Sequence, residues 1–156
     1  MTAQAVLTAA TEKGAIIATA ESCTGGGIAV AITDIAGSSA IFDRGFVTYT
    51  NAAKMQMLGV QQDTLDAHGA VSEQVASEMA SGALAASDAT IAISVTGIAG
   101  PGGSEFKPEG RVCFGVATSN GITTETCEFG AIGRQNVRAQ SVQHALSRLL
   151  QALTAN

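Results

Sequence analysis

The stretch ATAESCTGGGIAVAI, residues 18–32, decides the fold expected for this chain. It begins with small apolar residues, ends with apolar residues at helical spacing, and holds three consecutive glycines between them. This pattern predicts a short buried strand that passes through a tight glycine turn into a helix. The first N–H groups of such a helix have no partner within the helix and favour an anion.

Helical and strand patterns alternate on both sides of this stretch. Helices are predicted at 3–13, 24–35 and from about 133 onward, and strands at 15–20, 42–50 and 89–95. Asn51 is expected to cap the helix AAKMQML, and Ser72 a longer helix after it. Asn120-Gly121 predicts an antiparallel β-hairpin. The expected fold is therefore α/β, a three-layer α/β/α sandwich with a mixed β-sheet, in one domain of residues 1–156.

Composition excludes several classes of function. The net charge is −5 with only 8 lysines and arginines, so the chain is not expected to bind nucleic acid. No apolar run reaches the roughly 18 residues that span a bilayer, and no signal peptide is visible, so a cytoplasmic protein is expected. The three cysteines have wide, irregular spacing that fits neither a disulfide framework nor a zinc site. No metal and no cofactor are expected.

The glycine turn is the first candidate site. Backbone N–H groups at Gly25 and Gly26, with the hydroxyls of Ser22 and Thr24, are suited to bind phosphate or carboxylate without a lysine. The alternative is an ordinary turn in which Ser22 or Thr24 caps the helix. Neither a Walker loop nor a GxGxxG motif is present, which disfavours dinucleotide binding.

The segment GSSAIFDRGFVTYTNAAK, residues 37–54, holds groups suited to proton transfer. Tyr49 is the only tyrosine, and Lys54 lies five residues later in the first turn of a helix, where the dipole disfavours an ammonium ion. Ser38 and Ser39 follow a glycine. Serine, tyrosine and lysine can form a nucleophile with a proton relay that needs no histidine. The alternative is that Lys54 is a solvated surface lysine.

A third candidate stretch, SVTGIAGPGG, follows the buried strand ATIAISV. It places Thr96 at the strand end, before Gly97 and Gly100, whose backbone amides are suited to an oxyanion hole or to a phosphate. A loop without function is the alternative. Arg134 and Arg138 begin the last helix, and one of them is expected to face a ligand phosphate.

Two other nucleophile arrangements compete with the serine. Cys23 lies near a helix N-terminus, where a thiol can become reactive, although most free cysteines are small buried apolar groups. His68 ends a short helix, but no aspartate partner is indicated for a Ser-His-Asp triad. His144 falls within the last helix and is expected to be packed or exposed to solvent.

Four ordered motifs together resemble a known family. AESCTGG, ITDIAGSSAIFDRGFVTYTNAAK, HGAVSE and TGIAGPGGSEFKPEG are similar to the CinA C-terminal domain family, also called nicotinamide-nucleotide amidohydrolases. The resemblance covers nearly the whole chain. It implies an α/β/α sandwich that converts nicotinamide mononucleotide to nicotinic acid mononucleotide and ammonia without a metal. The chain departs from the family pattern at Gly27 and Ile41, and neither position touches the expected chemistry.

The resemblance also implies a set of site residues, in which the serine is open between two positions: Ser39 or Ser22, Tyr49, Lys54, Thr96 and Arg134. We expect Ser39 to be the nucleophile, activated by neutral Lys54 directly or through Tyr49. Ser22 is then left to the anion-binding turn, together with Thr24, Gly25 and Gly26.

The expected substrate is a small nucleotide. Substitution of Gly25 or Gly26 by valine should then raise the Michaelis constant for the mononucleotide and spare the fold. The competing class of function is a non-catalytic nucleotide-binding or regulatory module, which would keep the glycine turn but have no use for Tyr49 and Lys54. A homodimer is expected from the low charge and the many small residues of the surface.

Overall fold

The computed structural model describes residues 2–104 and 106–155. The helices are α1 (Thr2–Lys13), α2 (Gly27–Thr33), α3 (Asn51–Leu58), α4 (Gln62–His68), α5 (Glu73–Ala85) and α6 (Arg134–Thr154). The strands are β1 (Ile17–Glu21), β2 (Phe42–Val47), β3 (Ile91–Gly97), β4 (Arg111–Thr118) and β5 (Gly121–Glu128). A 3₁₀ turn, Ser38–Ala40, precedes β2.

The strands form one mixed sheet in the order β2-β1-β3-β4-β5. Strands β2, β1 and β3 are parallel, so their carboxyl ends lie at the same edge of the sheet. Strands β4 and β5 are antiparallel to their neighbours. The tight turn between β4 and β5 pairs Thr118 with Gly121, which confirms the predicted hairpin.

Helices cover both faces of the sheet. On one face α1, α2 and α6 enclose a core with Ile17, Ile93 and Phe114. On the other face α3, α4 and α5 pack against small residues such as Ala18 and Ala92. Successive side chains of a strand point to opposite faces, which is why the residues of β1 and β3 are buried up to the last residue of β3. The α/β/α sandwich expected from the sequence is confirmed.

Two helix starts differ from the predictions. The side chain that caps α3 is Thr50, whose Oγ1 accepts a hydrogen bond from Ala53 N at 3.1 Å, whereas Asn51 is the first helical residue. Both residue types are good caps, so composition alone did not separate them. Helix α2 begins at Gly27 rather than at Thr24, because Gly25 and Gly26 have positive φ angles of 59° and 105° that no helix contains. Ser72 caps α5 as predicted, through Val75 N at 3.2 Å.

A helix that crosses a bilayer must be both long and apolar. Across 2–104 and 106–155, none of the helices combines enough length with enough apolar character to do so.

Candidate active site

A cleft of about 320 Å³ opens at the edge of the sheet where β1, β2 and β3 end. Ligands of open α/β sheets collect at this edge. Its walls come from five parts of the chain: the turn after β1, the connection from β2 into α3, the segment before α5, the end of β3 with the loop after it, and the first residue of α6. The lining includes most of the residues singled out in the sequence: Ser22, Tyr49, Lys54, Thr96, Gly97, Gly100 and Arg134.

Lys54 is buried, with only 1% of its surface exposed. Its Nζ lies 3.0 Å from Ser22 Oγ and 3.1 Å from the Thr48 carbonyl oxygen. A third oxygen, the carbonyl of Tyr49, lies 3.5 Å away. Only residues 48–50 connect β2 to α3. Lys54, the fourth residue of α3, therefore reaches Ser22 just after the end of β1. The alternative of a solvated surface lysine is therefore wrong.

Ser22 follows the last residue of β1 and is held by the sheet. Its backbone N–H donates to the Val95 carbonyl of β3 at 3.0 Å, and its own carbonyl accepts from Gly25 N at 3.0 Å. Only 7% of the residue is exposed, and that part faces the cleft. The result is a fixed hydroxyl beside a buried amine, which is the geometry of a serine nucleophile with a lysine base.

The structure does not bring Ser39 to this site. Ser39 is exposed and lies in the 3₁₀ turn before β2, and Lys54 follows β2. Since β1 and β2 are parallel, with Ile17 opposite Phe42, Ser39 lies beside the start of β1. Five strand residues, roughly 16 Å, separate that end from Ser22. Ser39 was predicted because it is near Tyr49 and Lys54 in the sequence. Strand β2 runs between them, however, so Ser39 lies at the opposite end of the sheet from Lys54.

The glycine turn does not offer free donors to a ligand. The buried Glu21 carboxylate accepts hydrogen bonds from Thr24 Oγ1 at 2.5 Å, Ile28 N at 2.9 Å and Ala29 N at 3.0 Å. The start of α2 is thus already neutralised by a carboxylate of the chain itself. Arg138 holds the same turn from outside, through the carbonyls of Cys23 and Thr24.

Three of the predicted substrate-binding residues therefore lie outside the described lining of the cleft: Thr24, Gly25 and Gly26. The expectation that valine at Gly25 or Gly26 would spare the fold does not fit their backbone. Their φ angles of 59° and 105° are strained for any side chain and worst for a β-branched one. Sequence reasoning missed Glu21, because a carboxylate six residues before a helix matches no capping motif.

The loop after β3 forms the second wall. Thr96 is buried and donates its hydroxyl to the Ala70 carbonyl at 2.9 Å, so it ties the loop to the segment before α5. Gly97 and Gly100 line the cleft as predicted. Gly100 also receives a hydrogen bond through its carbonyl from Arg134 Nη1 at 2.8 Å.

Arg134 and Tyr49 close the mouth of the cleft. Arg134 Nη2 donates to the Tyr49 hydroxyl at 2.7 Å, and both side chains are exposed. The two oxygens that these nitrogens contact are neutral, so neither of them compensates the positive charge of Arg134. Of the two arginines considered in the sequence, Arg134 faces the cleft and Arg138 holds the turn. The Tyr49 hydroxyl points to Arg134, while only its carbonyl approaches Lys54.

The competing nucleophiles are poorly placed. Cys23 lines the cleft, but it is 5% exposed, and burial raises the pKa of its thiol to about 12. A thiol with that pKa carries almost no thiolate at neutral pH. His68 lies at the end of α4, outside the described lining of the cleft.

A larger cavity, of about 590 Å³, opens at the opposite edge of the sheet between α1, α6 and the β4–β5 turn. Its described lining contains none of the predicted site residues. Volume alone would favour this cavity as the active site, but the buried amine of Lys54 and the hydroxyl of Ser22 meet in the smaller cleft. Chemistry therefore places the candidate active site at the ends of β1 and β3.

Two curated proteins are closely similar to this chain. The nicotinamide-nucleotide amidohydrolase PncC of Escherichia coli strain K12 is 56% identical over 147 residues, covering 92% of this chain and 88% of that protein. The protein of the same name from Enterobacter agglomerans is 55% identical over 146 residues, with the same two coverages.

A solved structure is also closely similar. The competence/damage inducible protein CihA of Agrobacterium tumefaciens superposes with a TM-score of 0.94 at 51% identity, covering 99% of this chain and 94% of that one. The family model of the CinA C-terminal domain matches residues 1–153. The chain therefore belongs to the CinA C-terminal domain family.

Proposed function

We propose that this chain hydrolyses the carboxamide of nicotinamide mononucleotide to a carboxylate and ammonia, with Ser22 as the nucleophile and Lys54 as the base. The activity rests on relatives that are 56% identical and are named nicotinamide-nucleotide amidohydrolases. The roles of the residues rest on one observation, the 3.0 Å contact between Ser22 Oγ and a buried Lys54 Nζ inside the cleft.

Burial supports the role of Lys54 as a base. Removal of an ammonium group from water disfavours its charged form, and a neutral amine is able to accept a proton from a hydroxyl. The carbonyls of Thr48 and Tyr49 hold Nζ in one position beside Ser22. The base is therefore oriented by the backbone, as histidine is oriented by aspartate in other serine hydrolases.

The reaction follows from this arrangement. Lys54 takes the proton from Ser22 Oγ, which attacks the carboxamide carbon and forms a tetrahedral oxyanion. Backbone N–H groups of the loop after β3 stabilise that oxyanion. The C–N bond then breaks, ammonia leaves with the proton from Lys54, and an ester on Ser22 remains. Water, deprotonated by Lys54, cleaves the ester, and Lys54 returns that proton to Ser22 as the carboxylic acid leaves. The acid then gives its own proton to the solvent or to ammonia and becomes the carboxylate.

Arg134 and Tyr49 bind the substrate in this proposal. The guanidinium of Arg134 has neutral partners on the protein and lies at the cleft mouth, where it is suited to the phosphate of the mononucleotide. The ring of Tyr49 is 56% exposed beside it and offers a face to an aromatic ring. We therefore assign Tyr49 to substrate binding rather than to a proton relay.

Release of ammonia from nicotinamide mononucleotide tests the assignment of the serine. Ser22→Ala and Lys54→Met should each lower kcat by about 10³-fold or more, and the double variant should be no worse than either, because the two residues act as one unit. Ser39→Ala is the matched control and should keep full activity, since Ser39 lies at the other edge of the sheet.

Circular dichroism and the melting temperature establish that each variant is folded. An active Ser22→Ala variant together with an inactive Ser39→Ala variant would overturn the assignment. A wild-type chain that binds the mononucleotide without releasing ammonia would instead support the non-catalytic module.

Two finer expectations from the sequence stay predictions: a homodimer and a cytoplasmic location. Sedimentation equilibrium of the purified chain measures the first, as a mass of twice 15.6 kDa. Fractionation of the cells that produce the protein measures the second.

A further inference from the structure

Three side chains of different chemical types meet between β5 and α6: a carboxylate, a thiol and an imidazole. Glu125 and Cys127 are two residues apart on β5, so they lie on the same face of the sheet. Helix α6 supplies the third residue, His144, whose Nε2 lies 3.4 Å from Cys127 Sγ. One ligand atom from each residue lies within 4.8 Å of the other two. We call these three residues the β5–α6 cluster.

From the β5–α6 cluster we infer a binding site for a divalent transition-metal ion of the zinc type, distinct from the catalytic cleft. A thiolate, an imidazole and a carboxylate are the three kinds of side chain that bind Zn²⁺. The irregular spacing of the cysteines predicted no zinc site, because His144 and Glu125 are not part of a cysteine motif. The sheet and the helix bring the three residues together.

The distances fit a common centre. His144 Nε2 lies 3.0 Å from Glu125 Oε2 and 3.4 Å from Cys127 Sγ, and Cys127 Sγ lies 3.8 Å from Glu125 Oε1. Tetrahedral zinc with ordinary bond lengths holds its ligand atoms about 3.3–3.6 Å apart. Glu125 makes its two contacts through different oxygens, so its carboxylate must turn to bring one oxygen within ligand distance of an ion that also contacts His144 and Cys127.

The same distances disfavour a second catalytic triad. In a triad the imidazole contacts its nucleophile and its carboxylate through different nitrogens. In the β5–α6 cluster, Cys127 and Glu125 both approach Nε2 of His144. Three groups that converge on one point are arranged as ligands rather than as a relay.

Neighbouring groups orient the cluster and leave it open. The His144 ring packs against Phe114, with centroids 4.7 Å apart, which restricts its rotation. The side chains of His144 and Glu125 remain 28% and 34% exposed, so an ion can enter and water can complete the fourth position. Two features oppose a cation: Arg148 Nη1 lies 3.3 Å from Glu125 Oε2, and burial raises the pKa of the Cys127 thiol to about 11, so the ion must displace its proton.

Titration of the metal-stripped, tag-free chain with Zn²⁺ in a calorimeter tests the inference. We expect one ion per chain, and a rise of the melting temperature with added Zn²⁺ because the ion binds only the folded state. Cys127→Ser and His144→Gln should weaken binding by about 100-fold or more, since each removes one of three ligands. His68→Gln is the matched control and should bind like the wild type.

Arg148→Gln gives the sharpest result, because loss of the competing guanidinium should tighten Zn²⁺ binding several-fold. A variant that gains affinity cannot be explained by misfolding. Co²⁺ provides an independent readout, since the thiolate of Cys127 should give a charge-transfer absorption that disappears in Cys127→Ser. The inference is overturned if Zn²⁺ does not bind saturably, or if binding is unchanged in Cys127→Ser.

Discussion

Glu21 determines what the start of α2 is able to bind. A helix N-terminus with glycines before it is an anion site in many proteins, but this one already holds a carboxylate. Three hydrogen bonds, from Thr24, Ile28 and Ala29, saturate the fully buried Glu21 side chain. The turn at Gly25 and Gly26 therefore lets the start of α2 fold back onto the carboxylate of Glu21. The same turn holds Ser22 beside the cleft, because Gly25 N donates to the Ser22 carbonyl.

Glu21→Gln should lower the free energy of unfolding by about 2–3 kcal/mol, because bonds to a charged acceptor are lost and an amide NH₂ faces backbone N–H donors. Urea unfolding at neutral pH measures the change, with Glu12→Gln on the exposed side of α1 as the control. A loss of less than about 0.5 kcal/mol would show that water, rather than the carboxylate, satisfies the start of α2.

Helix α3 is the element that positions the buried amine of Lys54 beside Ser22. It is only eight residues long, so its own hydrogen bonds do little to hold it in place. Its position depends on the Thr50 cap at one end and on packing against α5 at the other. The shift of the cap from Asn51 to Thr50 makes Lys54 the fourth helical residue instead of the third.

Thr50→Ala should destabilise the protein by about 1 kcal/mol, because Ala53 N loses its acceptor at the start of α3. Asn51→Ala, at the first helical position, should change stability by less than about half of that. Chemical denaturation of both variants measures the difference. The opposite ranking would show that Asn51 is the cap, as its sequence context had suggested.

At the scale of the whole molecule, neighbouring helices approach so closely that some positions admit no side chain. A Cβ at Gly82 of α5 would lie 1.9 Å from the carbonyl oxygen of Leu58, the last residue of α3. The two helices therefore approach backbone to backbone at this point, which fixes the distance between α3 and α5. A glycine in the middle of a helix is unfavourable by itself, so packing explains its presence.

Gly82→Ala should destabilise the chain by about 2 kcal/mol or more, although the same change stabilises an isolated helix by about 1 kcal/mol. The reversed sign makes this a test of the packing of α5 against α3. Urea unfolding measures it, with Ser81→Ala on the exposed face of α5 as the control. Increased stability of Gly82→Ala would contradict the close approach of α3 and α5.

The sequence by itself determined the features that depend on neighbouring residues. Apolar periodicity and turn residues are local signals, so the alternating elements, the Asn120-Gly121 hairpin, the Ser72 cap and the α/β/α class were predicted correctly. The same signals pointed to Tyr49, Lys54 and the loop after β3, because functional side chains of such sheets follow strand ends.

Only the tertiary structure decided which groups meet. It placed Ser22 rather than Ser39 beside Lys54, filled the start of α2 with Glu21, and brought His144 to Cys127. These pairings depend on the order and direction of strands and on which helix covers which face. No local pattern contains that information, because it arises when the separate apolar faces are buried together.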